Sequence, residues 1–336
     1  MNEKLERLLG KKIGDLTKLH GDASYREYYR ANLKEGGSVI VMQLPKGKSS
    51  VSEEITNFKG THSELPFINV QKCLLSCGLP VPQILCYSEA DRIIVLEDLG
   101  DELFIKKVVH ADKTAKIRLY KQALDLLVSL QHKTQNAVQD CVAIQRSFDA
   151  TLLNWEFDHF REYLIEERLG QKMKKEDRAL FEKLTRKITD RIIGFPKLFT
   201  HRDFQSKNLI VREDGSLFMI DFQDALIGPY VYDLVALLRD SYVELKDEVL
   251  EELIKYYAVK KGISDLKTLM SDFDLMTLQR KMKDAGRFIY IDRVKKNPNF
   301  LQYLPTTLKY VKEALEKTDK SFLAMLGRYV PEFKIR

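Results

Sequence analysis

The stretch that decides the fold of this chain is His201-Arg202-Asp203-Phe204-Gln205-Ser206-Lys207-Asn208, followed by Ile220-Asp221-Phe222-Gln223-Asp224. Residues 208–211 predict a strand that leaves the first motif, and residues 217–220 predict the strand that returns to the second. Gly215 lies between these strands, where it can take the positive φ that a tight hairpin turn needs. The hairpin is therefore predicted to bring Asp221 beside Asn208.

The polar side chains of these motifs suit phosphoryl transfer. Asp203 would accept the proton of an attacking hydroxyl, while Asn208 and Asp221 would hold Mg²⁺ against the phosphates of ATP. Carboxylate and amide oxygens are ligands that this hard cation accepts. A turn that only satisfies its own polar groups would explain one Asp or Asn, but not all three in this order. The sequence therefore predicts a phosphotransferase that uses ATP and Mg²⁺.

Composition limits the other classes of function. The net charge of +6 invites a nucleic-acid hypothesis, but lysines are interspersed with acidic residues, as in residues 171–178, which is typical of a solvated helix. No apolar run approaches the roughly 20 residues that cross a bilayer. The charged N-terminus lacks a signal-peptide core, and the four cysteines show no paired zinc spacing. We therefore expect a cytoplasmic protein with small-molecule partners, no nucleic-acid partner and no membrane partner.

Strands and turns are predicted for the first hundred residues. Residues 38–42 form a β-branched apolar run, and residues 84–87 and 92–96 predict a hairpin. Residues 65–77 have helical periodicity, and Gly78 ends the helix. This region reads as a small sheet with one or two helices.

From about residue 112 the apolar periodicity becomes helical, apart from the strands around the two motifs. The predicted helical segments are 112–132, 149–168, 176–193, 230–241, 246–261, 272–293 and a last pair within 299–327. A polar break at residues 97–101 separates the two regions. We predict an α+β, protein-kinase-like bilobal fold, with a β-rich N-lobe (1–100) and a mostly helical C-lobe (101–336).

These motifs also carry a family resemblance. Together with Gly-Pro-x-x-Tyr-Asp-Leu at 228–234, they resemble the aminoglycoside phosphotransferase and choline kinase superfamily. Within it, the chain is most similar to the bacterial anomeric N-acetylmuramate/N-acetylglucosamine kinases. The stretches similar to that subgroup are 21–26, 81–85, 96–100, 234–240 and 279–288. The resemblance covers about residues 19–315 and implies phosphorylation of an amino sugar at C1 during recycling of cell-wall sugars.

The resemblance also implies two nucleotide-binding segments. One is a turn that covers the phosphates, formed by Gly21, Asp22, Ala23 and Ser24. The other is a hinge that binds adenine through backbone groups, formed by Glu97, Asp98 and Leu99. Without the resemblance, the first would be an ordinary turn and the second a linker.

Three polar residues around the catalytic motifs have further expected roles. His201 is expected to pack beneath the catalytic loop as a structural residue. Asp233 is expected either to cap the following helix or to support that loop, rather than to contact substrate. Asp224 suits hydrogen bonds to sugar hydroxyls and a structural role equally well.

One element of the usual kinase pattern is missing. Kinases usually pair a strand lysine with a helix glutamate to hold the α- and β-phosphates, but residues 39–45 contain no lysine and residues 65–77 contain no glutamate. The cations that could replace the lysine are Lys46, Lys48, Arg26 and Arg30, although a solvated surface charge is the commoner role of each. The gap keeps a nucleotide-binding pseudokinase as an alternative, whereas the intact base and metal ligands favour an enzyme.

The acceptor is less defined than the reaction. N-acetylmuramate carries a carboxylate that an arginine fork can bind bidentately. The candidate arginines are Arg202, Arg239, Arg280 and Arg287. An aminoglycoside acceptor is disfavoured because these drugs are polycations, and the predicted C-lobe is not conspicuously acidic. A choline-like acceptor would need an aromatic cage, for which the candidates are Trp155, Phe157, Tyr163, Tyr230 and Tyr232.

Overall fold

The computed structural model describes residues 1–19, 26–45, 64–137 and 140–334. The first part is a five-stranded antiparallel sheet of order β1-β2-β3-β5-β4. Its elements are α1 (Asn2–Leu9), β1 (Ile13–Leu19), β2 (Glu27–Leu33), β3 (Ser38–Gln43), α2 (Pro66–Ser76), β4 (Ile84–Ser88) and β5 (Ile93–Glu97). The predicted strand, hairpin and helix of this region are confirmed.

Both faces of the central strands are apolar, because each face packs against a different part of the molecule. Val41 pairs with Val95, and these side chains lie in a small core that includes Leu5 of α1. The next residues along the strands point the other way, so Met42 and Ile94 join the main core with α2. The sheet therefore connects the N-terminal helix to the helical remainder of the chain.

The remainder is mainly helical. Its helices are α3 (Phe104–His110), α4 (Lys113–Lys133), α5 (Ala150–His159), α6 (Lys175–Ile193), α7 (Tyr232–Leu238), α8 (Asp247–Lys261), α9 (Leu266–Arg293), α10 (Leu304–Thr318) and α11 (Lys320–Leu326). Helix α5 continues as a π-helical segment, Phe160–Glu167. The strands around the motifs are β6 (Lys197–Thr200), β7 (Leu209–Val211), β8 (Leu217–Met219) and β9 (Leu226–Pro229). In the described residues, no helix has both the length and the apolar composition needed to cross a membrane.

The predicted helices are confirmed, but α7 is shorter at both ends than its predicted segment 230–241, α3 was not predicted, and one helix begins earlier than expected. Helix α9 begins at Leu266 rather than near residue 272, because the side chain of Asp265 caps it by accepting from the N–H of Thr268 at 3.0 Å. The start was missed although Leu266, Leu269 and Met270 already have the apolar spacing of a helix.

Helix α9 is the central helix of this part, packed against α5, α7, α10 and the π-helical segment. Its closest approach is at Gly286, where a Cβ atom would lie 2.5 Å from the carbonyl oxygen of His159. Only glycine allows the two backbones to come this close. This packing brings the middle of α9 to the catalytic loop.

Candidate active site

The β7–β8 hairpin brings the two predicted metal ligands together. Leu209 pairs with Met219, and beyond that pair the N–H of Ile220 donates to the carbonyl oxygen of Asn208 at 3.0 Å. Asp221 follows with a φ of 63°, a left-handed conformation that Asp tolerates better than most residues. The hairpin expected from the sequence is confirmed, so Asn208 and Asp221 leave its end as neighbours.

The side chains of these two residues fit a divalent cation. Crowding by surrounding protein atoms, followed by the negative charge of Asp203, raises the pKa of Asp221 to about 6, although the residue itself is exposed. A bound cation would relieve that repulsion. Among the described residues, no three His, Cys, Asp or Glu side chains form a metal cluster. The Asp221 carboxylate and the side-chain oxygen of Asn208 are oxygen donors of the kind that Mg²⁺ accepts, together with phosphates and water.

Asp203 lies in the loop after β6 with its side chain 37% exposed. Burial disfavours its charged form, but the positive charges of Lys283, Arg280 and Arg202 outweigh that effect and lower the pKa of Asp203. The carboxylate is therefore ionised near neutral pH, as a proton acceptor must be.

Asp233 supports the catalytic loop. Its carboxylate accepts hydrogen bonds from the N–H groups of His201 and Arg202, at 2.6 and 3.1 Å. Asp233 is the second residue of α7 and does not cap it, since the N-cap position is Val231. Burial raises the pKa of Asp233 to about 7. Of the two expected roles, loop support is confirmed and capping is wrong.

A second carboxylate, which the sequence analysis did not identify, holds the other end of the loop. Asp240, just after α7, accepts from the N–H of Ser206 at 2.9 Å and from its hydroxyl at 2.5 Å. Carboxylates at the two ends of α7 thus hold the two ends of the loop. The sequence signal was only that Asp233 and Asp240 lie seven residues apart within the predicted helical segment 230–241.

His201 packs beneath the loop, as expected. Its Nδ1 atom accepts from the N–H of Asp203 at 3.3 Å, and its ring meets Phe204 edge to face. Burial lowers the pKa of His201 to about 4. The imidazole is therefore neutral and structural.

The side chain of Asp98, one of the predicted hinge residues, accepts several hydrogen bonds. Asp98 accepts from Arg30 Nε at 2.6 Å and Nη2 at 3.0 Å, and also from the Ser38 hydroxyl and the Gly100 N–H. Arg30 also binds Asp101 at 2.6 Å. Arg30 is thus held by carboxylates at the predicted hinge, which leaves it poorly placed to offset phosphate charge.

The two other predicted hinge residues are also placed. The Glu97 carboxylate forms an ion pair with Arg212 at 2.6 Å. The backbone N–H of Glu97 donates to the carbonyl oxygen of Gln83. Leu99 is buried. Adenine binding by backbone groups of this segment stays a prediction.

The phosphate-covering turn, Gly21, Asp22, Ala23 and Ser24, lies outside the described residues, as do Lys46 and Lys48. Arg26 is described, and its positive charge opposes the rise in the pKa of Asp221. Arg26 therefore lies near the predicted metal ligands, unlike Arg30.

Two of the predicted acceptor arginines are buried against other parts of the protein. Arg202 lies 5.5 Å from the ring of Phe148, with Nη2 3.7 Å from Glu156. Arg239 pairs with Glu313 at 3.0 Å and stacks on Tyr310. The expectation that these guanidinium groups face an acceptor is corrected, because each is committed to protein neighbours.

The other two arginines lie on α9. Arg280 is buried and donates to Asp203 at 3.3 Å, so its guanidinium contacts the predicted base rather than an acceptor. Arg287 is partly exposed, with its guanidinium 4.8 Å from the ring of Tyr290. Of the predicted arginines, Arg287 is the one with an exposed side chain that suits an acceptor.

Asp224 and Asp221, one of the predicted metal ligands, accept hydrogen bonds from the same side-chain amide. The Gln223 side-chain amide donates to Asp221 at 3.0 Å and to Asp224 at 3.1 Å. The Asp224 side chain is partly exposed. Both of its expected roles, sugar binding and structural support, stay open.

The predicted choline cage does not form from most of its candidates. Phe157, Tyr230 and Tyr232 are buried, and the Tyr230 hydroxyl donates to Asp272. Trp155 and Tyr163 are partly exposed, on either side of the His159 ring. A different set of three aromatic rings does surround a cation, but that cation is the chain's own Lys207, within 4.1 to 5.4 Å of Tyr242, Tyr303 and Phe300.

An antiparallel sheet followed by a helical region, in which Asp203, Asn208 and Asp221 meet in this order around the end of one hairpin, defines a kinase-like phosphotransferase. The chain belongs to the phosphotransferase enzyme family, whose model matches residues 15–268. It is 32% identical over 304 residues to a protein named N-acetylmuramate/N-acetylglucosamine kinase from Neisseria meningitidis serogroup B. That alignment covers 86% of this chain and 84% of its relative.

Solved structures show the same fold. A choline kinase from Streptococcus pneumoniae superposes with a TM-score of 0.61 at 19% identity, covering 94% of this chain and 96% of that one. An ADP-bound aminoglycoside phosphotransferase also gives a TM-score of 0.61 at 19% identity, over 95% of this chain and 97% of that one. The protein-kinase-like fold and the family resemblance expected from the sequence are confirmed.

Proposed function

We propose that this enzyme is an ATP- and Mg²⁺-dependent kinase that phosphorylates N-acetylmuramate and N-acetylglucosamine at the anomeric hydroxyl, in recycling of cell-wall sugars. The observation that carries the proposal is the convergence of Asp203, Asn208 and Asp221 around the end of one hairpin. The amino-sugar acceptor is supported by the 32% identical relative, which is named as a kinase of these two sugars.

Asp203 is the proposed base. It is ionised because neighbouring cations outweigh its burial, and it is open enough to reach an acceptor hydroxyl. Since proton transfer comes late in a loose phosphoryl-transfer transition state, the base needs no raised pKa. An anomeric hydroxyl is also somewhat more acidic than other sugar hydroxyls, which eases the transfer.

Asn208 and Asp221 are the proposed metal ligands. Mg²⁺, when bound there, would neutralise charge on the phosphates of ATP. In the small lobe, Gly21, Asp22, Ala23 and Ser24 are proposed to cover the phosphates. Arg26 is the cation near the metal ligands that could help to offset phosphate charge, in place of the missing strand lysine.

The nucleotide base is proposed to bind at the hinge formed by Glu97, Asp98 and Leu99. Arg30 binds Asp98 through two nitrogen atoms, so the hinge is braced from strand β2. A braced hinge presents its backbone groups in one geometry, which reduces the entropy lost when adenine binds.

The acceptor is proposed to bind over the outer part of α9. Arg287 and Tyr290 lie there, beside Tyr163 of the π-helical segment, whose ring meets Tyr290 edge to face at 5.1 Å. Aromatic rings can pack against the apolar face of a pyranose, and a guanidinium can bind the carboxylate of N-acetylmuramate. Asp224 is the proposed acceptor of hydrogen bonds from sugar hydroxyls.

A coupled ADP-release assay tests the reaction and the acceptor together. Mg·ATP is offered with N-acetylmuramate, N-acetylglucosamine, choline or an aminoglycoside, and ³¹P NMR locates the phosphate on any product. We expect turnover on the two amino sugars, with phosphate at C1. Turnover only on choline or the aminoglycoside would refute the acceptor, and ATP binding without turnover on any of the four would favour the pseudokinase.

The variant Asp203→Asn tests the base in the same assay. It should lower kcat by about three orders of magnitude, with little change in ATP binding. Asp214→Asn is the control, because Asp214 lies in the exposed turn of the same hairpin and bonds to Ser216. Near-normal activity of Asp203→Asn would remove Asp203 from the mechanism.

A further inference from the structure

We infer that Arg280 is a positioning residue for the catalytic base, and that it holds the Asp203 carboxylate in the orientation that receives the acceptor proton. The inference rests on the proposed role of Asp203. It assigns to Arg280 a function in phosphoryl transfer rather than in binding the acceptor.

One guanidinium binds both the carboxylate of Asp203 and its backbone. Nη2 of Arg280 donates to Oδ1 of Asp203 at 3.3 Å, and Nη1 donates to the carbonyl oxygen of Arg202 at 2.7 Å. That carbonyl belongs to the peptide bond between Arg202 and Asp203. Because the guanidinium is planar and rigid, the two bonds together restrict rotation of the carboxylate relative to its own backbone.

Arg280 can act as a fixed point because its own position is restricted. Its side chain is 0% exposed. The guanidinium lies 4.7 Å from the ring of Tyr232, and Nε is 3.9 Å from the Asp284 carboxylate. A buried cation in such a site keeps one orientation, since moving it would leave its charge without compensation.

The backbone of Arg202 needs to be held. Its φ of 74° is left-handed, which costs a long side chain about 1 kcal/mol or more. Asp233 accepts from the N–H of this residue and Arg280 donates to its carbonyl. Helices α7 and α9 therefore hold the two sides of one strained residue, and the next residue in the chain is the base.

The test compares Arg280→Met with a matched control, Arg239→Met. Both arginines are buried, both lie 4.7 to 4.8 Å from a tyrosine ring, and both pair with a carboxylate. Arg239 pairs with Glu313 on α10 rather than with the loop. Similar losses of Tm are therefore expected, whereas kcat should fall about 100-fold in Arg280→Met and less than about 3-fold in Arg239→Met.

Two further measurements separate positioning from simple loss of folding. The KM for ATP should stay within about 3-fold in Arg280→Met, because the hairpin that carries Asn208 and Asp221 is unchanged. In the Asp203→Asn background, Arg280→Met should cause little further loss of kcat, since there is no base left to orient. If the fold-losses of kcat in the two single variants multiply in the double variant, the inference is overturned.

Arg280→Lys keeps the experiment decisive if Arg280→Met does not fold. Lysine retains the charge but cannot make both bonds in one plane, so we expect a folded protein with kcat lowered about 10-fold. Wild-type kcat in Arg280→Lys, or equal losses in Arg280→Met and Arg239→Met, would show that Arg280 is only structural. Activity of Asp203→Asn, in contrast, would refute the proposed base itself.

Discussion

The side-chain amide of Asn208 donates a hydrogen bond to the carbonyl oxygen of Asp203 at 2.9 Å. This bond joins a proposed metal ligand to the proposed base across the catalytic loop. Because the amide nitrogen is used for this contact, the side-chain oxygen of Asn208 is directed elsewhere and can serve a cation. The positions of base and metal are therefore coupled by the backbone of one loop.

Asp221→Asn is predicted to weaken metal use. Loss of the carboxylate charge should raise the Mg²⁺ concentration that gives half-maximal activity by about 10-fold or more. Activity is measured against Mg²⁺ concentration, and ADP binding is measured by calorimetry with and without the metal. Asp214→Asn, in the turn of the same hairpin, should show the wild-type metal dependence. An unchanged dependence in Asp221→Asn would rule it out as a ligand.

Asp98→Ala is predicted to destabilise the hinge much more than Asp101→Ala. Both carboxylates bind Arg30, but the side chain of Asp98 is 7% exposed and that of Asp101 is 68% exposed. Loss of the buried acceptor should lower the free energy of unfolding by about 2–4 kcal/mol. Loss of the exposed one should cost less than about 1 kcal/mol. Urea unfolding measures both, and equal effects would contradict the proposed brace.

His201 is predicted to make stability depend on pH. Its folded-state pKa of about 4 lies below the usual 6.5, so the unfolded state binds more protons between these values. The contribution of His201 to folding stability is therefore fully present above pH 6.5 and is lost as the pH falls from 6.5 toward 4. Between pH 6.5 and about pH 5 the loss should reach about 2 kcal/mol.

The variant His201→Asn isolates this effect. Asparagine can accept the hydrogen bond from the Asp203 N–H through its side-chain oxygen, but it does not titrate. The difference in unfolding free energy between wild type and His201→Asn should therefore change across this pH window. Parallel pH profiles for the two proteins would show that His201 is not buried as a neutral ring.

Gly286→Ala is predicted to displace α9. The added Cβ would lie 2.5 Å from the carbonyl oxygen of His159, a backbone atom that cannot rotate away. We expect a loss of about 3 kcal/mol or more in stability, together with reduced kcat, because α9 carries Arg280. Gly194→Ala is the control, since its nearest contact is the carbonyl oxygen of Arg191 at 3.3 Å, which is tight but needs a shift of only a few tenths of an ångström. Equal Tm values for the two variants would argue against this close packing.

Arg287→Met is predicted to change acceptor choice rather than catalysis. If Arg287 binds the carboxylate of N-acetylmuramate, kcat/KM for that sugar should fall about 10- to 100-fold. The value for N-acetylglucosamine, which has no carboxylate, should change little. Arg293→Met, at the exposed end of α9, is the control. Equal losses of kcat/KM on both sugars would show that Arg287 does not distinguish between them.

Much of the architecture could be predicted because it depends on short-range spacing. The hairpin between Asn208 and Asp221 follows from two apolar runs around a turn with Gly215, whose φ of 83° is the one expected. Helix periodicity located the elements after residue 112, because each helix buries one apolar face. The same periodicity runs through the first turns of α9, whose start at Leu266 was nevertheless placed too late.

The sequence by itself therefore determined the order of the proposed base and proposed metal ligands, the hairpin and the fold class, since neighbours in the chain decide these features. Only the tertiary structure decided which charged residues serve the loop. Arg280 meets Asp203 across 77 residues of sequence, and Arg239 is directed to α10 instead. Four arginines were equivalent in the sequence. What separates them is the packing of α9 against the catalytic loop, because burial requires each charge to have a specific partner.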